Sequence, residues 1–128
     1  MMFERESDLV QSYRQYLAYR GIPTESEVSC GRGFAADLVS STTIWEAKLI
    51  LSRESLYQAF GQAESYRVKL GKPQAAIFGL TPLEARAARQ SERIAEWLRQ
   101  IHPHLWVMFV DTDQLFLQFY QLEIHKTG

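Results

Sequence analysis

Phe34-Ala-Ala-Asp-Leu-Val39 and Thr43-Ile-Trp-Glu-Ala-Lys-Leu-Ile50 decide the fold of this chain. The first is a short apolar run carrying one acid. The second is rich in β-branched and aromatic side chains, the composition of a strand set in a packed sheet. Only Ser40-Ser-Thr42 separates them, a polar break of hairpin-loop length. Two antiparallel neighbours joined this tightly bring Asp37 and Glu46 close in space. Side chains alternate across a strand, so Glu46 and Lys48 share one face while Trp45, Ala47 and Leu49 take the other.

Two acids beside a lysine carry the chemistry of metal-assisted phosphodiester hydrolysis. Mg²⁺ takes hard oxygen ligands, keeps several waters, and uses one or two carboxylates plus substrate phosphate. Asp37 and Glu46 supply the carboxylates, the Ala47 carbonyl lies within reach of the same ion, and Mn²⁺ accepts the same donors. The cation makes water a stronger nucleophile at neutral pH and neutralises charge on the phosphate; Lys48 stabilises the attacking hydroxide or the transition state. Taken singly, an Asp near a strand end or a Glu-x-Lys alternation is an ordinary solvated face.

The segment that follows changes that weighting. Ser52 is a good helix N-cap, Gly71 a C-terminal stop, and Pro73 lies just beyond. Leu56, Phe60, Ala63 and Leu70 form the stripe expected to be buried. Gln58, Gln62, Ser65 and Lys69 form a second, polar stripe, and Gln62 and Tyr66 stand one turn apart.

An Asp on one strand, Glu-x-Lys on the next and a Gln-x-x-x-Tyr helix after them resemble the PD-(D/E)XK nuclease superfamily. The likeness runs from about Glu4 to Leu80, with Ala36 where a proline often precedes the Asp. It implies a restriction-endonuclease-like core and a Mg²⁺-dependent endodeoxyribonuclease. Asp37, Glu46, Lys48 and Gln62 would be catalytic, with Asp37 and Glu46 holding the metal. Gln58, Tyr66 and Lys69 would meet nucleic acid. Some members also carry an acid on the first helix, and here Glu6, pointing inward from the start of a helix over Glu4–Arg20, would be an additional metal-site carboxylate. The placement of Glu6 also suits the positive end of the helix dipole.

That first helix is read from Leu9, Val10, Tyr13, Tyr16 and Leu17, at helical spacing before Gly21-Ile-Pro23. Glu25–Cys30 reads as a strand and Gly31-Arg-Gly33 as its turn, where Arg32 is either a phosphate contact or a plain turn residue. Gln74–Gly79 reads as a short buried strand, parallel to the Glu46 strand because a helix connects them. Thr81-Pro-Leu-Glu84 reads as the start of a last helix, reaching about Ile101 and burying Leu83, Ala87, Ile94, Trp97, Leu98 and Ile101. Arg86, Arg89 and Arg93 line its other face, a solubilising row or a phosphate contact. His102 and His104 lack a third ligand at useful spacing. Leu105–Val110 and Leu115–Tyr120 read as two strands about a polar turn, Asp111–Gln114. The expected fold is α/β, a mixed central sheet flanked by helices in the order α-β-β-β-α-β-α-β-β.

With 128 residues, 46% hydrophobic and 23% charged, the chain is read as one nuclease-like domain, 1–128. The charged start is not a signal peptide, no apolar run spans a bilayer, and a single Cys30 suits a reducing cytoplasm. A net charge of −1 weighs against duplex binding, which usually needs a basic excess, although a local basic patch can serve. Apolar residues on both faces of the two terminal strands point to a homodimer or higher symmetric assembly, the working unit of a restriction, homing or junction enzyme. The competing reading is a non-catalytic nucleic-acid-binding or assembly subunit on the same fold.

Overall fold

Segments of period 2 and period 3.6 alternate along the sequence, and the folded elements follow them. The computed structural model describes residues 2–127, with side chains from 2 to 124. In order they are α1 (Glu6–Tyr19), β1 (Glu25–Gly31), β2 (Phe34–Val39), β3 (Thr43–Ile50), α2 (Arg53–Leu70), β4 (Gln74–Leu80), α3 (Ala85–Ile101), β5 (Leu105–Phe109) and, after a 3₁₀ turn at Val110–Thr112, α4 (Gln114–Thr127). The strands lie side by side as β1-β2-β3-β4-β5. The hairpins β1–β2 and β2–β3 are antiparallel, and β4 and β5 join parallel, each after a helical crossover. This is an α/β fold with a mixed sheet between two helical layers.

Alternation along β3 divides its side chains between those layers. Trp45 and Ala47 pack with Leu9, Tyr13, Tyr16 and Leu17 of α1 and with Phe116 and Phe119 of α4. Ile44 packs with Leu56, Ala59 and Ala63 of α2 and with Ala95 and Leu98 of α3. Rings dominate the α1–α4 layer. Tyr13 stacks on Phe78 of β4 with centroids 4.2 Å apart and on Phe116 at 5.7 Å. Burial accordingly pushes the Tyr13 hydroxyl pKa up. Helix α2 is capped as its sequence dictates: Ser52 Oγ accepts from Ser55 N, and Gly71 ends the helix at φ 65°.

The last element is a helix, correcting the strand expected over Leu115–Tyr120. Asp113 Oδ1 accepts from the backbone N–H groups of Leu115 (3.1 Å) and Phe116 (3.4 Å), which is a helix N-cap. Phe116, Phe119 and Tyr120 then fall at three- and four-residue spacing on one face, toward Phe3 and α1. The premise for self-pairing of terminal strands goes with it, because Phe116 and Phe119 are covered within the chain.

Helix α3 begins later than Thr81. The Thr81 N–H and hydroxyl both donate to Asp111 Oδ1 at 2.9 Å, so Thr81 is engaged across the sheet end. Glu84 is the cap instead, its carboxylate accepting from Arg86 N and Ala87 N. Starting there turns Ser91, Ala95 and Leu98 to the core and leaves Leu83, Trp97 and Ile101 exposed, against the expected buried set.

Gly79 on β4 lies hard against the end of β3, where the register of the parallel pair shifts. A Cβ there would stand 2.0 Å from the Lys48 carbonyl oxygen and 2.8 Å from Leu51 Cγ. The clash is with backbone, so no rotamer change relieves it. Gly79→Ala is expected to cost about 3 kcal/mol, read as a lower urea midpoint at unchanged m-value.

Candidate active site

The β2–β3 ladder is short. It pairs Val39 with Ile44 and Leu38 with Trp45, and the next opposed residues are Asp37 and Glu46. There the side chains take over from the ladder. Glu46 Oε1 accepts the Asp37 backbone N–H at 3.1 Å, and Asp37 Oδ2 accepts the Ala47 backbone N–H at 2.8 Å. Each acid thus satisfies a strand donor that a regular ladder would have paired. The exchange also fixes both carboxyl groups close together, each acting on the other's ionisation.

Burial decides the electrostatics of the pair. Glu46 is only 4% exposed, and desolvation, followed by the charge of Asp37, pushes its carboxyl pKa up to about 8. Asp37 is raised as well, first by burial, against lowering by the Ala47 N–H, Glu46 and Lys48. Lys48, two residues from Glu46 and half-buried, supplies the nearby positive charge.

Glu6 joins this group. Its carboxyl pKa is raised by partial burial and then by the charge of Asp37, and lowered by Lys48 and by hydrogen bonding to the Leu49 backbone. The first turn of α1 therefore delivers an acid to the site, beyond any effect on the helix dipole. Glu27 is an acid that sequence reading missed. The β1–β2 register on either side sets it opposite Asp37, pairing fails at that step, and its φ is 50°. Its charge adds to the rise at Asp37. A non-glycine residue held in the left-handed region beside an acid pair is the kind of strain that collects at functional sites. Gly79 was also missed; a lone glycine in an apolar strand is the signal that would have flagged close backbone approach.

Helix α2 borders the pair through Tyr66. This residue is 9% exposed, and its hydroxyl pKa is raised by burial, then by Glu46, Cys30 and Asp37. Gln62, one turn earlier, has its Oε1 shut off from solvent with no protein donor. Both line a groove of about 680 Å³ with Gln58, Lys69, Cys30 and Phe34. Asp37, Glu46, Lys48, Glu6 and Tyr66 are therefore brought together, while Gln62, one turn from Tyr66, lines the groove with Gln58 and Lys69. Arg32 stands exposed at the hairpin tip with φ 46° and does not line it.

The histidines serve the scaffold. His104 Nε2 lies 2.7 Å from Glu64 Oε2, while Arg67 donates to both Glu64 oxygens and to the Lys72 carbonyl. Arg67 first, then His104, draws the Glu64 carboxyl pKa down to about 2. His102 packs on Phe60 with centroids 4.6 Å apart.

Among the described residues no group of three or more Asp, Glu, His or Cys is arranged to hold a metal. The Asp37–Glu46 pair nonetheless fits Mg²⁺ in its chemistry: two hard carboxylates, buried together without a full counter-charge. No protein-family model, curated protein or solved structure matches the chain. No helix among the described residues is long and apolar enough to cross a membrane.

A raised carboxyl pKa has a definite sign in stability. Between the usual glutamate value and about 8, folded Glu46 holds a proton that the unfolded chain has lost, so stability falls as pH rises through that window. One such proton is worth up to about 1.4 kcal/mol per pH unit. Thermal melts in EDTA should show Tm falling from pH 5 to pH 8.5. Glu46→Gln should flatten that slope, and an equally steep slope in the variant would refute the assignment.

Proposed function

We propose that this protein is a Mg²⁺-dependent nuclease that hydrolyses phosphodiester bonds in DNA. The observation that carries the reading is the buried acid pair, Asp37 and Glu46, cross-bonded between two strands with Lys48 beside it. Burial raises both carboxyl pKa values, the Asp37 charge raises Glu46 further, and a divalent cation is a group that stabilises such a pair in its ionised form. Asp37 and Glu46 would hold Mg²⁺, with Glu6 the further acid whose charge acts on the pair; bound there, the ion would activate water and neutralise phosphate charge.

The chain's own groups do the rest. Lys48 holds the attacking water and stabilises the charge that builds on the phosphate oxygens. Water adds to phosphorus, one P–O ester bond breaks, the water's proton leaves to solvent and the departing oxygen takes one up. Gln62, whose Oε1 has no protein donor, orients Lys48 or the water, and a donor there offsets the cost of a buried lone carbonyl, about 1–3 kcal/mol. Tyr66 closes the α2 side of the site against solvent.

Two variants separate binding from chemistry. Asp37→Ala should abolish Mn²⁺ binding by calorimetry, because a single remaining carboxylate holds the ion poorly. Lys48→Ala should keep Mn²⁺ binding and lose about two orders of magnitude in cleavage rate, or about 3 kcal/mol of barrier. The assay is incubation with linear, nicked, branched and single-stranded substrates in Mg²⁺, Mn²⁺ or EDTA. A wild-type protein that binds these substrates and cuts none under any metal would leave a non-catalytic binding subunit as the better reading.

A further inference from the structure

We propose that the groove between the β1–β2 hairpin and α2 takes a single-stranded stretch of nucleic acid, with bases stacked on Phe34 and Tyr57. This rests on the nuclease reading and names its substrate class. Both rings line the groove, and both are open to solvent, Phe34 at 63% and Tyr57 at 44% exposure. Exposed aromatics flanking a groove are what unpaired bases need, since every base has a π-face and a paired base hides it in the helix. The groove's volume of about 680 Å³ lies within the range of about 300–1,000 Å³ typical of ligand sites.

Charge weighs against a duplex. The chain carries a net charge of −1, and Lys69 is the single cation among the residues lining the groove. Duplex binding relies on many phosphate contacts, whereas stacking sites draw much of their affinity from ring faces.

Gly61 is the second, independent sign. It sits in mid-helix α2, where glycine is the poorest helix former after proline, and a Cβ added there would meet nothing within 4 Å. Packing therefore does not demand it. What its missing side chain leaves open is the floor of the groove, one residue before Gln62 with its unpartnered Oε1. Tyr66 lines the groove and also feels the Glu46 and Asp37 charges, so the groove lies beside the acid pair.

Fluorescence anisotropy in EDTA tests this with labelled single-stranded DNA and RNA of about 12 nucleotides and with the DNA duplex of the same sequence. The expected result is at least about tenfold tighter binding of a single strand than of the duplex. Phe34→Ala and Tyr57→Ala should each weaken it by about five- to a hundredfold. Gly61→Leu should weaken it comparably while Tm holds or rises, because the new side chain fills the groove and improves the helix. Equal affinity for duplex and single strands, no binding to either, or wild-type affinity in all three variants would overturn the proposal. Cleavage is read separately with Mg²⁺. Asp37-dependent cutting of duplex with no single-strand preference overturns the groove and leaves the nuclease reading standing. Ring-dependent single-strand binding without cutting does the reverse.

Discussion

Asp37 and Glu46 exchange hydrogen bonds with the backbone of each other's strand, and the rest of the structure is arranged around that exchange. A regular antiparallel ladder would satisfy those donors by itself. Here carboxylates do it, so β2 and β3 need not continue as a tight pair beyond Leu38 and Trp45. The consequence is two acids buried side by side, whose desolvation raises both pKa values and which folding alone does not favour. Neighbouring elements sharpen the imbalance. The start of α1 adds Glu6 and the distorted step of β1 adds Glu27, against one lysine, Lys48.

Rigidity on the other side of β3 keeps that lysine in place. The parallel pairing with β4 runs the length of the strand, and at Gly79 the backbones approach too closely for any side chain. Behind them the Tyr13–Phe78–Phe116 stack fills the α1–α4 layer with rings. A well-packed sheet holding a strained, charged rim is a common division of labour between scaffold and site.

The position of α2 gives the site its surroundings. Leu56, Ala59 and Ala63 fix its inner face to the sheet, which sets Tyr66 beside the acids and leaves Gln58, Gln62 and Lys69 lining the groove. The small residues of that stripe let the helix lie close to the strands. Glu64, on another side of the helix, ties it through His104 to the loop before β5, while Arg67 of the same helix grips its carboxylate. One helix thus carries packing, anchoring and candidate ligand contacts on separate faces, as its 3.6-residue period allows.

Much of this was legible from residue order. Strong local signals fixed the first eight elements: alternation over Thr43–Ile50, the Ser52 cap, Gly71, and the crossover that makes β4 parallel. The acid pair was legible for the same reason, since a three-residue link between strands leaves little freedom in which residues face each other. Leu115–Tyr120 was misread because its aromatic content suggests a strand, while the deciding feature was a cap from Asp113 and a ring spacing that pays off only against α1. Thr81 looked like a helix start until Asp111, thirty residues away, claimed both its donors. Glu27 beside Asp37, the Gly79 contact and the groove between Phe34 and Tyr57 arise from pairs distant in sequence. Local sequence determines which elements form and what they bury, because propensity and period act over a few residues. Only the tertiary structure decides which charges are desolvated together and where space is left, because both depend on what the rest of the chain packs against them.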